Sequence, residues 1–171
     1  MITLCRTIGG IVLAALLQLP FAATASTLSD VLLRDGAGTR AHLSDWHGHY
    51  VLLNIWATWC QPCVREMPGL LRLQQSMAEK PGSNLVILPV SVEAGKAERV
   101  TDFYQRHDLT GLPLYLLDDK RDMVTLKVLG LPTTMLLDPQ GKIVWRIAGD
   151  LDWDDRELRD KLNKDLADAK Q

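Results

Sequence analysis

Cysteine is scarce in this chain, and neither charge sign dominates. Three cysteines in 171 residues are too few for a disulfide-dense scaffold and one short of a four-cysteine zinc site. Nineteen Lys and Arg against 21 Asp and Glu leave a formal charge of −2. That excludes a nucleic-acid partner held by bulk positive charge. Twelve glycines and eight prolines do not approach a collagen-like or linker-rich composition. No repeat of solenoid period and no low-complexity run is present. The four histidines, His42, His47, His49 and His107, stand at no obvious ligand spacing, so no metal is expected. What remains is a chain of 47% hydrophobic residues, too apolar for disorder and sized for one domain with a core of its own.

The odd cysteine count is resolved by position. Arg6 and the amino terminus precede a charge-free apolar run, Ile8 to Leu19, which Pro20 breaks; Ala23-Thr24-Ala25 then has a small-x-small pattern. This is the layout of a secretory signal peptide over residues 1–25, cleaved after Ala25. The rival reading is an uncleaved anchor. The uncharged stretch Thr7–Ser29 is long enough to span, but Gln18 and Pro20 interrupt it and its apolar core is short of the roughly 20 residues a span needs. Cleavage discards Cys5, and Arg6 is the only charge lost, moving the net charge from −2 to −3. Residues 26–171 then form one exported domain with two cysteines in a disulfide-permissive setting. Membrane contact is expected only if the leader is retained.

Hydrophobic periodicity orders the rest. Val31–Leu33 and Arg40–Leu43 flank Asp35-Gly36-Ala37-Gly38 as a short hairpin. Tyr50–Trp56 is apolar almost throughout, as a strand buried on both faces should be. Residues 60–80 switch to helical spacing, with Val64, Met67, Leu70, Leu71 and Met77 inward and Pro68 placed to kink the helix near Val64. Leu85–Val92 is a second strand, in which Pro89 predicts a bulge or an exposed donor side. Lys96–His107 is an amphipathic helix facing inward through Val100, Phe103 and Tyr104. A strand at Leu114–Leu117 and a helix at 122–129 follow. Strands Thr133–Leu137 and Ile143–Ala148 are joined by Asp138-Pro139-Gln140-Gly141. A helix over 152–168 has an acidic start and Leu158, Leu162 and Leu166 inward. This order predicts an α/β domain with a mixed, largely parallel sheet covered by helices.

Cys60-Gln61-Pro62-Cys63 stands where the first long strand meets the first long helix. Helix-start N–H groups and the helix dipole favour a thiolate there, and the thiolate is the reactive species in disulfide exchange. Cys63, nearly one turn on, is within reach of Cys60 but deeper, so Cys60 attacks and Cys63 resolves. Pro62 suits the first helical turn. As a purely structural bridge the pair would close too short a loop to stabilise much. Glu66 lies beside the apolar face, which favours partial burial and a raised pKa over a solvated role.

The run Val51-Leu52-Leu53-Asn54-Ile55-Trp56-Ala57-Thr58-Trp59-Cys60-Gln61-Pro62-Cys63, with Glu66-Met67-Pro68 after it, resembles the TlpA/ResA-like branch of the thioredoxin superfamily. The resemblance covers residues 28–168 and implies a thioredoxin-like fold with an N-terminal β-hairpin and a mid-chain helix-strand insertion. It implies an exported, periplasmic thiol:disulfide oxidoreductase that reduces cysteine pairs of partner proteins, for example in cytochrome c or copper-site assembly. No cofactor, a membrane-bound electron donor and a monomeric chain go with that activity. By motif, Pro132 in Gly130-Leu131-Pro132-Thr133 matches the family's cis-proline, with the Leu131 backbone holding the partner peptide. Glu66 matches the buried acid that tunes Cys63 and passes protons, and Trp59 the aromatic shelf beside the nucleophile. Asn54 stands where thioredoxin has a buried Asp, which leaves proton work to Glu66. Gly111-Leu112-Pro113 is a rival proline triplet, but only Pro132 leads into strand, tight turn, strand and terminal helix. A copper chaperone on the same scaffold is the alternative; Sco-like proteins space their cysteines by three residues, not two. A peroxiredoxin-type peroxidase would need a Thr or Ser three residues before the reactive cysteine beside a proline, a pattern that Thr58-Trp59-Cys60 does not supply.

Overall fold

A computed structural model describes Leu28 and residues 31–168; the leader and its cleavage position lie outside these residues. The element order is β1 (Leu32–Asp35), β2 (Arg40–His42), β3 (Tyr50–Trp56), α1 (Gln61–Ala78), β4 (Leu85–Ser91), α2 (Ala97–Arg106), β5 (Tyr115–Leu117), α3 (Asp122–Thr125), β6 (Thr133–Leu137), β7 (Ile143–Ala148) and α4 (Arg156–Asp168), with a short 3-10 turn at Leu43–Trp46. The seven strands form one sheet in the order β2-β1-β5-β4-β3-β6-β7. β3 lies near its middle with every residue buried, as its apolar run predicts.

The sheet is mixed, but it is not largely parallel. Only β3–β4 and β4–β5 pair in parallel; β1–β2, β1–β5, β3–β6 and β6–β7 are antiparallel. Tight turns account for two of these, since a hairpin leaves no room for the crossover that parallel pairing requires. The mid-chain insertion contributes β5 outside β4, and the hairpin extends the sheet beyond it. On that edge Arg34 bonds Asp118 through both Nε and Nη2, and Trp46 packs edge-on against Tyr115 at 5.4 Å.

Both prolines are accommodated without interrupting their elements, and Pro89 has the exposed donor side expected of it. Pro89 causes no bulge: β4 runs in unbroken register along β3, with Pro89 opposite Asn54. On its other side β5 begins pairing only at Val90, so no ladder donor is missed. Pro68 lies on the exposed side of α1, and the helix continues through it from Gln61 to Ala78.

The inward face of α1 consists of Cys63, Glu66, Met67, Leu70, Leu73 and Met77. Leu73 takes a place expected of Leu71 and Val64, which are only half-buried. α2 buries Val100, Phe103 and Tyr104 as expected, both rings against Trp56. α4 starts later than the acidic residues suggest: Asp155 precedes it and caps its start by accepting a hydrogen bond from Leu158 N–H at 2.8 Å, as an N-cap aspartate does. Asp154 pairs with Arg72 and Arg159, fastening the start of α4 to α1. Trp153, buried to 1%, sits over Gly69, where an added Cβ would lie 3.2 Å from the Trp153 Cβ.

Candidate active site

The loop after β3 places Cys60 as the N-cap of α1, with extended backbone (φ −87°, ψ 100°) and Pro62 in the first turn. Cys63 N–H donates to Cys60 Sγ at 3.3 Å. The two sulfurs are joined, with Cα atoms 5.2 Å apart. Exposure differs between them: 6% for Cys60 and none for Cys63. One sulfur of the pair therefore borders solvent and the other lies inside. Trp59 stands beside them, 60% exposed.

The strand across the sheet brings in the second half of the site. Leu131–Pro132 is a cis bond immediately before β6, whereas the rival Pro113 leads into β5. Gly130 C=O accepts from Thr133 Oγ1 at 2.7 Å, and Pro132 C=O accepts from Gly149 N–H. Among the described residues no hydrogen bond is made by the backbone N–H or C=O of Leu131. Trp59, Cys60, Pro62, Leu129, Gly130 and Leu131 together line a groove of about 710 Å³.

Glu66, one turn beyond Cys63, is buried to 4% exposure. Its carboxylate accepts from Asn54 Nδ2 at 2.6 Å and from Leu151 N–H at 2.8 Å. Burial raises its pKa most strongly; the Leu151 and Asn54 bonds lower it, nearby Asp150 raises it, and the outcome is about 7 against an ordinary 4.5. Asn54 Nδ2 also donates to Thr134 Oγ1 at 3.0 Å, while its Oδ1 is buried without a partner among the described residues. A separate polar cleft of about 340 Å³, lined by Arg65, Arg72, Asp150 and Asp154 among others, reaches Glu66 from the side of the β7–α4 connection.

One cluster escaped the sequence reading. Glu93, 6% exposed, accepts from Thr58 N–H at 2.8 Å and Thr58 Oγ1 at 3.0 Å, and Arg99 Nε lies 3.2 Å from it. It therefore fixes the loop directly before Trp59 and Cys60. Its signal was a single acid closing the apolar run Leu85–Val92. Leu129, fully exposed in the groove, was the other omission. Among the described residues no cluster of three or more His, Cys, Asp or Glu is arranged to hold a metal, and no helix is long and apolar enough to cross a membrane.

Comparison with known proteins shows the family and the fold. Residues 24–146 match the model of the AhpC/TSA family. The chain is 37% identical over 138 residues to the thioredoxin-like protein YneN of Bacillus subtilis, covering 80% of this chain and 76% of that one. It is 39% identical over 137 residues to the thiol-disulfide oxidoreductase ResA of Geobacillus kaustophilus, covering 79% and 75%. Among solved structures, the thioredoxin domain of a thiol-disulfide oxidoreductase from Bacteroides vulgatus superposes with a TM-score of 0.65 at 26% identity, over 84% of this chain and 98% of that one.

Proposed function

The chain belongs to the AhpC/TSA family and is a thiol-disulfide oxidoreductase of the thioredoxin superfamily, similar to ResA; from that premise we propose that it is exported and reduces disulfides of other proteins through Cys60 and Cys63. The observation that carries this reading is the asymmetry of the pair. Cys60, at a helix N-cap and bordering the groove, is placed to be attacked and to attack; Cys63, fully buried, is placed only to reach Cys60.

In the reduced chain the Cys60 thiolate attacks one sulfur of a partner disulfide. A Cys60–partner bond forms, and the second partner sulfur leaves as a thiolate that takes a proton. Cys63 then gives its proton to Glu66 and attacks the Cys60 sulfur. The partner's first sulfur leaves as a thiolate, and the Cys60–Cys63 disulfide remains. Two electrons have passed to the partner. With a pKa near 7, Glu66 can both accept and return that proton near neutral pH.

The partner segment lies along Trp59 and the Leu131–Pro132 corner, where the free N–H and C=O of Leu131 offer strand-like hydrogen bonds. The N-terminal 25 residues serve as the export signal, the chain acts as a monomer in the periplasm, and a membrane-bound donor returns it to the dithiol. Cytochrome c or copper-site assembly supplies partners of this kind. Insulin reduction by the reduced chain, compared with Cys60→Ser and Cys63→Ser, tests the proposal. Wild type should precipitate insulin B chain while Cys60→Ser should not, and Cys63→Ser should accumulate a mixed disulfide. Equal activity in all three would refute it.

A further inference from the structure

The groove beside Cys60 carries charge that disulfide exchange itself does not need. Its charged lining is Glu93, Lys96, Arg99 and Lys120. Glu93 is committed to Thr58 and to Arg99. Lys96 and Lys120 are exposed, and among the described residues neither ammonium group has a hydrogen-bond or ion-pair partner. Lys96 is also the N-cap of α2 and provides no side-chain cap. The first-turn N–H groups of Ala97, Glu98 and Arg99 make no hydrogen bond among the described residues, so the positive end of the helix lies beside that ammonium group. Nearby Asp119 is occupied by Arg121, and Glu98 does not line the groove. A positive rim thus stands on a chain whose net charge is negative.

The apolar part of the groove is equally marked. Leu129 is fully exposed and Trp59 is 60% exposed, with Leu131 and Met123 also lining it. Exposed large apolar side chains beside a reactive sulfur mark a surface that is covered during use. Resting on the reductase reading above, we propose that this groove selects extended protein segments with a large apolar residue next to the cysteine and acidic side chains within a few positions of it. The apolar residue covers Leu129 and Trp59, and the acids meet Lys96, Lys120 and the start of α2. Charges at such a rim act mainly on association rate and are screened by salt.

The test uses the full-length reduced chain and three disulfide-linked peptides. Each has Phe beside its cysteine, followed by two Glu, two Gln or two Lys. Oxidation rates of the chain, each normalised to the rate of the same peptide with dithiothreitol, are measured at about 20 mM and about 500 mM salt. The Glu peptide should react about tenfold faster than the Lys peptide at low salt, with the gap shrinking at high salt. Lys96→Glu/Lys120→Glu should invert the ratio, and Lys164→Glu on α4, outside the groove, should leave it unchanged. A ratio within twofold of unity, or one that survives the double reversal, overturns the selection and leaves the reductase reading standing. If no peptide oxidises the chain while dithiothreitol reduces all three, the reductase reading fails and the selection fails with it.

Discussion

Replacing Glu66 by Gln should make folding stability less dependent on pH, by an amount the structure supplies. Glu66 is buried with two donors among the described residues, Asn54 Nδ2 and Leu151 N–H, and burial outweighs both, so its pKa stands near 7 instead of 4.5. The folded state therefore holds a proton that the unfolded state has released between these two values. In that window the unfolded chain binds fewer protons, and stability falls as pH rises. Each pKa unit corresponds to 1.36 kcal/mol, which makes the full loss about 3 kcal/mol, with about 2.5 kcal/mol of it between pH 5 and pH 8. The loss is complete above the folded pKa and absent below the unfolded one.

The amide introduced by Glu66→Gln carries no such proton. Its Oε1 can still accept from Leu151, and its Nε2 can face the unpartnered Asn54 Oδ1 if that amide turns. Asp122, whose pKa is also raised by burial, titrates in both proteins and cancels in the comparison. Urea titrations of oxidised wild type and Glu66→Gln at pH 5, 6, 7 and 8 measure the difference. The wild type should lose about 2.5 kcal/mol relative to the variant across that range. Parallel stability curves would show that Glu66 ionises at an ordinary carboxylate pKa, and the proton role given to it would go with them.

Three further outcomes follow from local geometry. In the reduced chain, Cys60 as N-cap of α1 should be alkylated by iodoacetamide with a midpoint below the ordinary thiol value of about 8.5; a rate profile centred on that value contradicts the placement. Gly69→Ala should destabilise by about 1 kcal/mol in spite of the helix propensity gained, because its Cβ would meet the Trp153 Cβ at 3.2 Å and the Trp153 backbone N at 3.7 Å. Gly111→Ala meets only the movable end of Leu71 at 2.8 Å and should change stability by less than about 0.5 kcal/mol. Thermal melts that rank the two the other way would refute the argument.

What could be read from the sequence was whatever depends on neighbours along the chain. β6 and β7 were bounded to the residue because they flank a turn with strong chemistry, Asp138-Pro139-Gln140-Gly141, whose Asp138 accepts from Gln140 and Lys142 N–H. α2 was legible because Val100, Phe103 and Tyr104 leave only one face to bury. The direction of pairing in the sheet was not legible: β3 joins β4 and β6 on its two sides in opposite senses, and the apolar run that makes β3 a buried strand is the same for either.

The site divides along the same line, and the division explains why its residues and their burial were found but their hydrogen-bond partners were not. Cys60, Cys63 and Glu66 recur every three residues from the start of one helix, so their spacing groups them near one face, and the apolar residues beside Glu66 mark that face as the inner one. That spacing says nothing of what they meet. The donor that holds Glu66 comes from Leu151, 85 positions away, and Asn54 is secured by Thr134, 80 positions away. Glu93 reaches Thr58 across 35 positions, from the far end of the neighbouring parallel strand. Parallel neighbours end on the same side of a sheet, so a polar residue closing β4 arrives beside the loop that closes β3. An acid directly after an apolar run is therefore informative once that run is known to pair in parallel with the strand leading to the cysteines. Without the pairing it reads as ordinary solvated surface. Leu129 is the opposite case: the sequence extends a helix over 122–129, but α3 stops at Thr125 and Leu129 lies beyond it, where no period applies and only the groove it lines gives its exposure a meaning.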